Sequence, residues 1–382
     1  MKSVLILGGG LVGRPMALDL HERGGFSVTV ADLSDAALHK LQLDGISTIK
    51  ADLSDTGSLH QFAGSFDLFI NAVPGSFGFR TLEILAGFGK PVVDIAFYAD
   101  DPRQLDEKAR RAGSCLICDM GVAPGMSHLL SGYAASKLEH VDEIRILVGG
   151  LPVQRSLPWQ YKAVFSPSDV IEEYTRPARL VEHGKIVFKE ALSESEYIDF
   201  EGIGTLEAFN SDGLRTLAYT LKADKMVEKT LRYPGHIDAV KLLRDSGFLS
   251  TDTFKSGKLQ FVPLEVTSAM LFEQWKLKPG EADLTVMRVE ARGIQKSGKK
   301  TTLRWDLLDY YDHAHGIHSM ARTTGYAATA ALRMLAAGRF SSPGVHMPEQ
   351  IGTDEQLVKF ILADMEQRGI YYIHHSHEEE IS

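Results

Sequence analysis

The sequence predicts an α/β protein: an N-terminal doubly wound parallel sheet, followed by an α+β domain with a mixed sheet. Two observations carry that expectation. Between residues 3 and 120, short apolar runs alternate with helical segments, and runs that are apolar on both faces belong to strands covered on both sides. Beyond Gly125 the strands become longer and more polar, and at 382 residues the chain exceeds one ordinary domain.

The elements follow in order. The apolar runs are SVLIL, FSVTVAD, STIKAD, DLFINAV, PVVDIA and SCLICD. The segments between them carry helical spacing, and several end in glycine, which adopts the left-handed conformation that stops a helix. GMSHLLSGYAASKL then reads as a helix and EIRILVGGLP as a strand. ADLTVMRVEARG and KKTTLRWDLLDYY read as a hairpin across a Lys/Ser/Gly turn. SMARTTGYAATAALRMLAAG and LVKFILADMEQRG are helices expected to return to the first domain, and the terminal HHSHEEEIS reads as a solvated tail. The expected domains are residues 1–121 for the parallel sheet, 122–318 for substrate binding and dimerisation, and 319–382 for the returning helices.

Composition narrows the function. An apolar share of 44% with 24% charged residues is that of a soluble globular chain. A net charge of -9 and the lack of a Lys/Arg-rich block argue against nucleic acid, and no apolar run suits a membrane. The first strand begins by Val4, so no cleavable leader is expected, and two cysteines fit a reducing cytoplasm. Cys115 and Cys118 form C-x-x-C, but on a strand and without a second pair, so a structural reading is favoured over redox or zinc.

Gly8, Gly10 and Gly13 form G-x-G-x-x-G between a strand and a helix. Such glycines make a tight turn, let the backbone approach a pyrophosphate and pack the helix on the strand, the fingerprint of a Rossmann dinucleotide-binding domain. Leu11 and Val12 complete the turn, and Pro15 suits a first helical turn. Asp32 ends the next strand at the distance where a carboxylate accepts ribose hydroxyls and repels a 2′-phosphate, with a helix-capping role in ADLSDAAL as the weaker rival. NAD is therefore favoured over NADP. Asp52 is placed near the adenine, and Ala72, Val73 and Pro74 near the nicotinamide ribose.

Five further motifs occur in order: Asp119-Met-Gly-Val-Ala-Pro-Gly-Met126, Val148-Gly-Gly-Leu-Pro152, Val164-Phe-Ser-Pro167, Lys229-Thr-Leu-Arg-Tyr-Pro-Gly-His236 and Met320-Ala-Arg-Thr-Thr-Gly325. Together they resemble the saccharopine dehydrogenase-like family, and within it the lysine 6-dehydrogenase branch. The resemblance implies a homodimeric oxidoreductase that moves hydride between nicotinamide and a carbon bearing an amine. The expected reaction is NAD-dependent oxidative deamination of a side-chain amine, L-lysine to allysine. The resemblance implies that glutamate-forming relatives typically carry an aspartate where Ala123 stands here, a tryptophan where Phe165 stands and an arginine around Ser211. Losing that arginine removes a carboxylate clamp, which favours the smaller substrate unless Arg215 replaces it. Secondary-amine chemistry on saccharopine or carboxynorspermidine is the alternative, and a nucleotide-binding regulator without chemistry is a third reading.

That chemistry needs a proton acceptor, because a protonated amine has no lone pair. Asp119 is the first candidate, at a strand's carboxyl end, with a turn-capping role as its rival. His236 is the best imidazole, although the helix it opens also suits a capping role. Arg232, then Arg215, would suit the α-carboxylate, with a structural ion pair as the alternative for Arg232; Tyr161 and Phe165 would wall the aliphatic stem, with plain core packing as the commoner reading of such aromatics. His313, His315 and His318 raise a metal reading, but no fourth ligand is evident, so none is expected.

Overall fold

In a computed structural model of the chain, residues 1–164, 167–278 and 280–379 are described. Strand and helix alternate from the start: β1 Lys2–Leu7, α1 Gly13–Glu22, β2 Phe26–Asp32, α2 Asp35–Leu43, β3 Ser47–Lys50, α3 Thr56–Phe62, β4 Leu68–Asn71, α4 Gly75–Leu85, β5 Pro91–Asp94, α5 Asp106–Ala112, β6 Cys115–Ile117 and α6 Met126–Lys137. Val4 to Leu7 and Leu68 to Ile70 are essentially without exposure, the mark of a sheet covered on both faces. The centre of the chain holds β7 His140–Pro152, α7 Pro167–Thr175, β8 Ala178–Glu182, β9 Lys185–Lys189, β10 Glu196–Phe200, β11 Gly204–Asn210, α8 Leu217–Thr220, β12 Lys225–Arg232 and α9 His236–Asp245. A small hairpin, β13 Phe254–Ser256 and β14 Leu259–Phe261, leads to α10 Pro263–Trp275, β15 Asp283–Ile294 and β16 Lys300–Tyr310. The last elements are α11 Ser319–Ala336, β17 Gly344–His346, α12 Pro348–Ile351, α13 Glu355–Glu366 and β18 Tyr372–Glu379.

Two units result: Met1–Lys137 with Ala321–Tyr372, and Leu138–Met320 with the last residues. The first contains a seven-stranded parallel sheet in the order β17-β6-β5-β4-β1-β2-β3. The order reverses between β1 and β4, which creates the crevice at the strands' carboxyl ends where such sheets bind ligands. The second contains a nine-stranded mixed sheet, with β7 and β12 parallel and β15 and β16 antiparallel, the two strands of the expected hairpin. The Gly-Gly of β7 serves packing: a Cβ on Gly149 would lie 2.8 Å from Leu231 Cβ, and one on Gly150 2.4 Å from Val164.

The boundaries differ from the sequence reading at three places. α6 belongs with the parallel sheet, so the first unit runs to Lys137 and not to residue 121. β17 is a seventh parallel strand that three residues are too short to announce. The histidine-rich tail keeps its side chains exposed over residues 373–378, as expected, but it is a strand: β18 lies beside β16, where the His374 ring stacks on Trp305 and Lys299 reaches Glu378 at 2.9 Å. Pairing with a formed neighbour overrides the weak strand propensity of His and Glu.

The returning elements buttress α1. A Cβ on Gly325 of α11 would stand 2.8 Å from Met16 Cγ, so only glycine lets the helices approach this closely. Asp19 of α1, 6% exposed, accepts from Arg333 Nη1 at 2.9 Å and also from Thr329 and Arg368. A buried carboxylate needs such partners, and this one ties α11 and the end of α13 to the dinucleotide helix. Among the described residues, no helix is long and apolar enough to cross a membrane.

Candidate active site

The glycine turn is crowded where it folds and open where a ligand would approach. Gly8 has φ 100°, and a Cβ there would lie 2.6 Å from the Ala72 carbonyl oxygen at the end of β4. A Cβ on Gly13 would lie 1.9 Å from the Gly8 carbonyl oxygen. Around Gly10 no atom lies within 4 Å of the Cβ position, and Leu11 is 62% exposed. No side chain caps α1 at Val12. The cradle thus fits a diphosphate held by backbone N–H groups at a helix start.

Asp32 is bound into this turn. Its Oδ2 accepts the Gly9 N–H at 2.7 Å and its Oδ1 the Ser34 N–H at 2.8 Å, which leaves lone pairs for sugar hydroxyls. Two cations of the region are already paired: Lys50, beside Asp32 in the sheet, with Asp35 at 2.7 Å, and Arg14 with Asp44 at 2.8 Å. Asp52 is exposed and occupied locally. It accepts the Ser54 N–H at 2.9 Å and hydroxyl at 2.6 Å, which hold its carboxyl below the usual range. Ala72 donates its N–H to Leu7 at 2.9 Å, Val73 is buried and Pro74 opens α4, so this strand end sits against the glycine turn.

Two carboxyls close the neighbouring strands. Asp119 follows β6 with φ 56°, an uncommon conformation for a residue with a side chain, and is 2% exposed. After it, Gly125 closes on Gly121 so tightly that a Cβ would lie 1.9 Å from the Gly121 carbonyl oxygen, and α6 begins. Asp94, the last residue of β5, is fully buried and accepts from Tyr98 Oη at 2.6 Å and Asn71 Nδ2 at 2.7 Å. Burial first, and the charge of Asp119 second, push its carboxyl up to about 7 against the opposing pull of the Tyr98 hydroxyl. The sequence reading missed Asp94, although the rule that selected Asp119, a carboxylate at a strand's carboxyl end, applies equally to PVVDIA.

Cys115 and Cys118 are buried and reduced, and burial pushes the Cys115 thiol up to about 12, so it offers no thiolate.

In the second unit Arg232, His236 and Tyr161 come together in one aromatic cluster with Tyr174, Trp159 and Trp275. Arg232 is 1% exposed; Nε donates to Tyr174 Oη at 3.1 Å, Nη2 to Glu173 at 2.7 Å and Nη1 to the Leu231 carbonyl at 3.0 Å. Its guanidinium lies 4.4 Å from the Tyr161 ring centroid. His236 is the first residue of α9, capped by Gly235 at φ 92°, and both ring nitrogens are engaged. Nδ1–H donates to the Trp159 carbonyl at 2.9 Å, which leaves Nε2 to accept the Tyr174 hydroxyl at 2.8 Å. Burial, with the adjacent Arg232 charge, pushes its imidazole down to about 3.

These contacts correct two expectations. Arg232 holds a structural ion pair in place of an open carboxylate anchor, and His236 stays neutral inside the core in place of presenting a base. Tyr161 is 1% exposed and belongs to that core, the commoner of its two expected roles. Arg215 is buried at φ 43°, and Phe165 lies outside the described residues. The loop histidines have separate surroundings: His315 binds Asp312 at 2.8 Å, His318 lies 3.3 Å from the Glu281 carbonyl and His313 packs on Tyr311.

A reversed parallel sheet, a glycine turn and a strand-end acid bound to that turn define a nucleotide-binding dehydrogenase. The comparisons give the family. The saccharopine dehydrogenase NADP binding domain matches residues 4–117 and the saccharopine dehydrogenase C-terminal domain residues 121–370, so the chain belongs to the saccharopine dehydrogenase family. It is 25% identical over 435 aligned residues to the saccharopine dehydrogenase [NADP(+), L-glutamate-forming] of Pyricularia oryzae, covering 94% of this chain and 96% of that one. It is 24% identical over 385 residues to the carboxyaminopropylagmatine dehydrogenase of Synechocystis sp., with 94% and 95% covered. The fold matches the solved apo saccharopine dehydrogenase (L-Glu forming) of Saccharomyces cerevisiae with TM-score 0.83 at 20% identity, over 99% and 100% of the two chains.

Proposed function

We propose that the chain oxidises a carbon bearing nitrogen in an amino-acid-derived amine, or runs the reverse reduction, with a nicotinamide cofactor. The observation that carries this reading is one sheet that places an open glycine turn after β1 and two buried carboxyls, Asp94 and Asp119, after β5 and β6. Bound there, the cofactor would accept the hydride. The backbone from Gly8 to Gly13 would hold its diphosphate, and Asp32 its ribose. Asp119 is the residue assigned to receive the ammonium proton; the carbon then loses hydride, a C=N bond forms, and water releases ammonia and an aldehyde.

L-lysine, giving allysine, is the first substrate. The family resemblance implies an arginine around Ser211 in glutamate-forming relatives that this chain lacks, and Arg232 spends its donors on Glu173, Tyr174 and the Leu231 carbonyl, which supports a substrate with fewer carboxylates. A secondary-amine substrate is the second reading, favoured by relatives named for saccharopine and carboxyaminopropylagmatine. For the cofactor, the matching domain and the Pyricularia oryzae enzyme are named for NADP, whereas Asp32 and the ion-paired Arg14 and Lys50 support NAD. We further propose a cytoplasmic homodimer, which light scattering on the purified chain checks for mass.

The test is a screen at 340 nm with NAD or NADP against lysine, ornithine, diamines and saccharopine, and in reverse with aldehyde, amine and reduced cofactor. Reduction of NAD by lysine is expected. Turnover of saccharopine alone would move the assignment to the second reading, and silence in both directions would overturn both.

A further inference from the structure

Asp94 lies in the half of the sheet that takes the nicotinamide side of a dinucleotide. In sheets of the order β3-β2-β1-β4-β5-β6, the first three strands bind one mononucleotide and the next three the other. Three donors converge on its buried carboxyl: Asn71 Nδ2 at 2.7 Å and the Ala96 N–H at 3.3 Å on Oδ1, and Tyr98 Oη at 2.6 Å on Oδ2. This shell of donors favours the ionised carboxyl and opposes the effect of burial.

The same shell forms the turn from β4 into α4. Asn71 also donates to the Gly78 carbonyl at 3.1 Å, and a Cβ on Gly78 would lie 2.6 Å from Ala96 Cβ. A Cβ on Gly75 would lie 1.9 Å from the Phe97 carbonyl oxygen. The Ala72 carbonyl of this turn is the surface against which Gly8 packs. Asp94 is thus tied through Asn71 to the turn that walls the cofactor cradle.

We propose that Asp94 is a positioning residue for the nicotinamide half of the cofactor, and that its ionised form favours the oxidised ring over the reduced one. The inference rests on the dinucleotide reading above. The oxidised ring carries a positive charge that the reduced ring lacks, and a carboxylate buried in low-dielectric protein on that side of the cradle would sense the difference. The groups that face it are Tyr98 from the segment after β5, Asp119 from the end of β6, and neutral Asn71 from β4, while Cys118 acts on Tyr98. Burial and Asp119 bring its titration to about 7. By linkage, the oxidised cofactor draws the proton from Asp94 and the reduced cofactor does not.

The experiment measures Kd for NAD and NADH on the full chain from pH 5.5 to 9, in the wild type, Asp94→Asn and Tyr98→Phe. In the wild type, the ratio of oxidised to reduced Kd is expected to fall as pH rises through 7, by about tenfold if the two complexes differ by one pKa unit. Asp94→Asn should give a flat ratio, and Tyr98→Phe, which removes a donor to the anion, should move the midpoint to higher pH. If Asp94→Asn fails to fold, the wild type and Tyr98→Phe still read the inflection. A wild-type ratio independent of pH, or an Asp94→Asn ratio that still falls, would overturn the assignment. Failure of both cofactors to bind the wild type would overturn the dinucleotide reading, and this inference with it.

Discussion

Alanine at Gly13 and alanine at Gly10 should separate folding from cofactor binding. At Gly13 the new methyl would stand 1.9 Å from the Gly8 carbonyl oxygen, well inside van der Waals contact, so α1 must move off β1. It has little room to do so, because Gly325 of α11 already leaves a Cβ position only 2.8 Å from Met16. Overpacking of this kind costs about 1–3 kcal/mol. For a unit of this size each kcal/mol is roughly 2–4 °C in Tm. At Gly10 the methyl meets no protein atom within 4 Å, so stability should hold or rise by about 0.4–1 kcal/mol through the unfolded state. The methyl would, however, stand where the diphosphate approaches. Losing one charge-assisted bond, about 1.5–3 kcal/mol, weakens the cofactor about 10- to 150-fold. Differential scanning fluorimetry of the apo chain and calorimetric titration of NAD read the two quantities. A Gly10→Ala protein that binds NAD as the wild type does would refute the cradle, and an unshifted Tm in Gly13→Ala would refute the packing argument.

Other substitutions test the remaining parts. Asp32→Ala should weaken NAD more than NADP, and equal losses by titration would contradict the ribose role. Arg368→Ala strips a buried partner from Asp19 and should cost about 3 kcal/mol in urea unfolding, at the low end for a broken buried pair because Arg333 remains. His236 is held near 3 in the fold and titrates near 6.5 when unfolded, so the unfolded chain binds more protons between those values. Its contribution to stability is complete above about pH 6.5 and shrinks as pH falls toward 3. Denaturation curves at pH 7.5 and 5 should show that loss, and a His236→Asn chain should show less of it.

The strand-turn-helix at the N-terminus was legible because its signals are local: an apolar run, glycines at fixed offsets, an acid one strand later. The hairpin Asp283–Ile294 with Lys300–Tyr310 was legible through alternation and its turn. β17 and β18 were not, because each forms by pairing with a strand far away in sequence and carries little pattern of its own. The candidate site divides in the same way. Gly8 and Gly13 pack as tightly as their spacing implies, and Asp32 bonds the Gly9 N–H of that turn. Arg232 and His236 mislead, because residue chemistry does not reveal that Glu173 and Tyr174, about 60 positions earlier, occupy their polar atoms. Asp94 was passed over because an acid inside an apolar run reads as the end of a strand, and its burial depends on Asn71 and Tyr98 meeting it in space.

The central claim concerns which bond is broken, and deuterium reads it directly. Lysine carrying deuterium on its ε-carbon, incubated with the chain and NAD, should place the label on C4 of the reduced nicotinamide. Reduced cofactor without label would mean that the hydride comes from another carbon, and no reduction with lysine or a secondary amine would contradict the assigned chemistry.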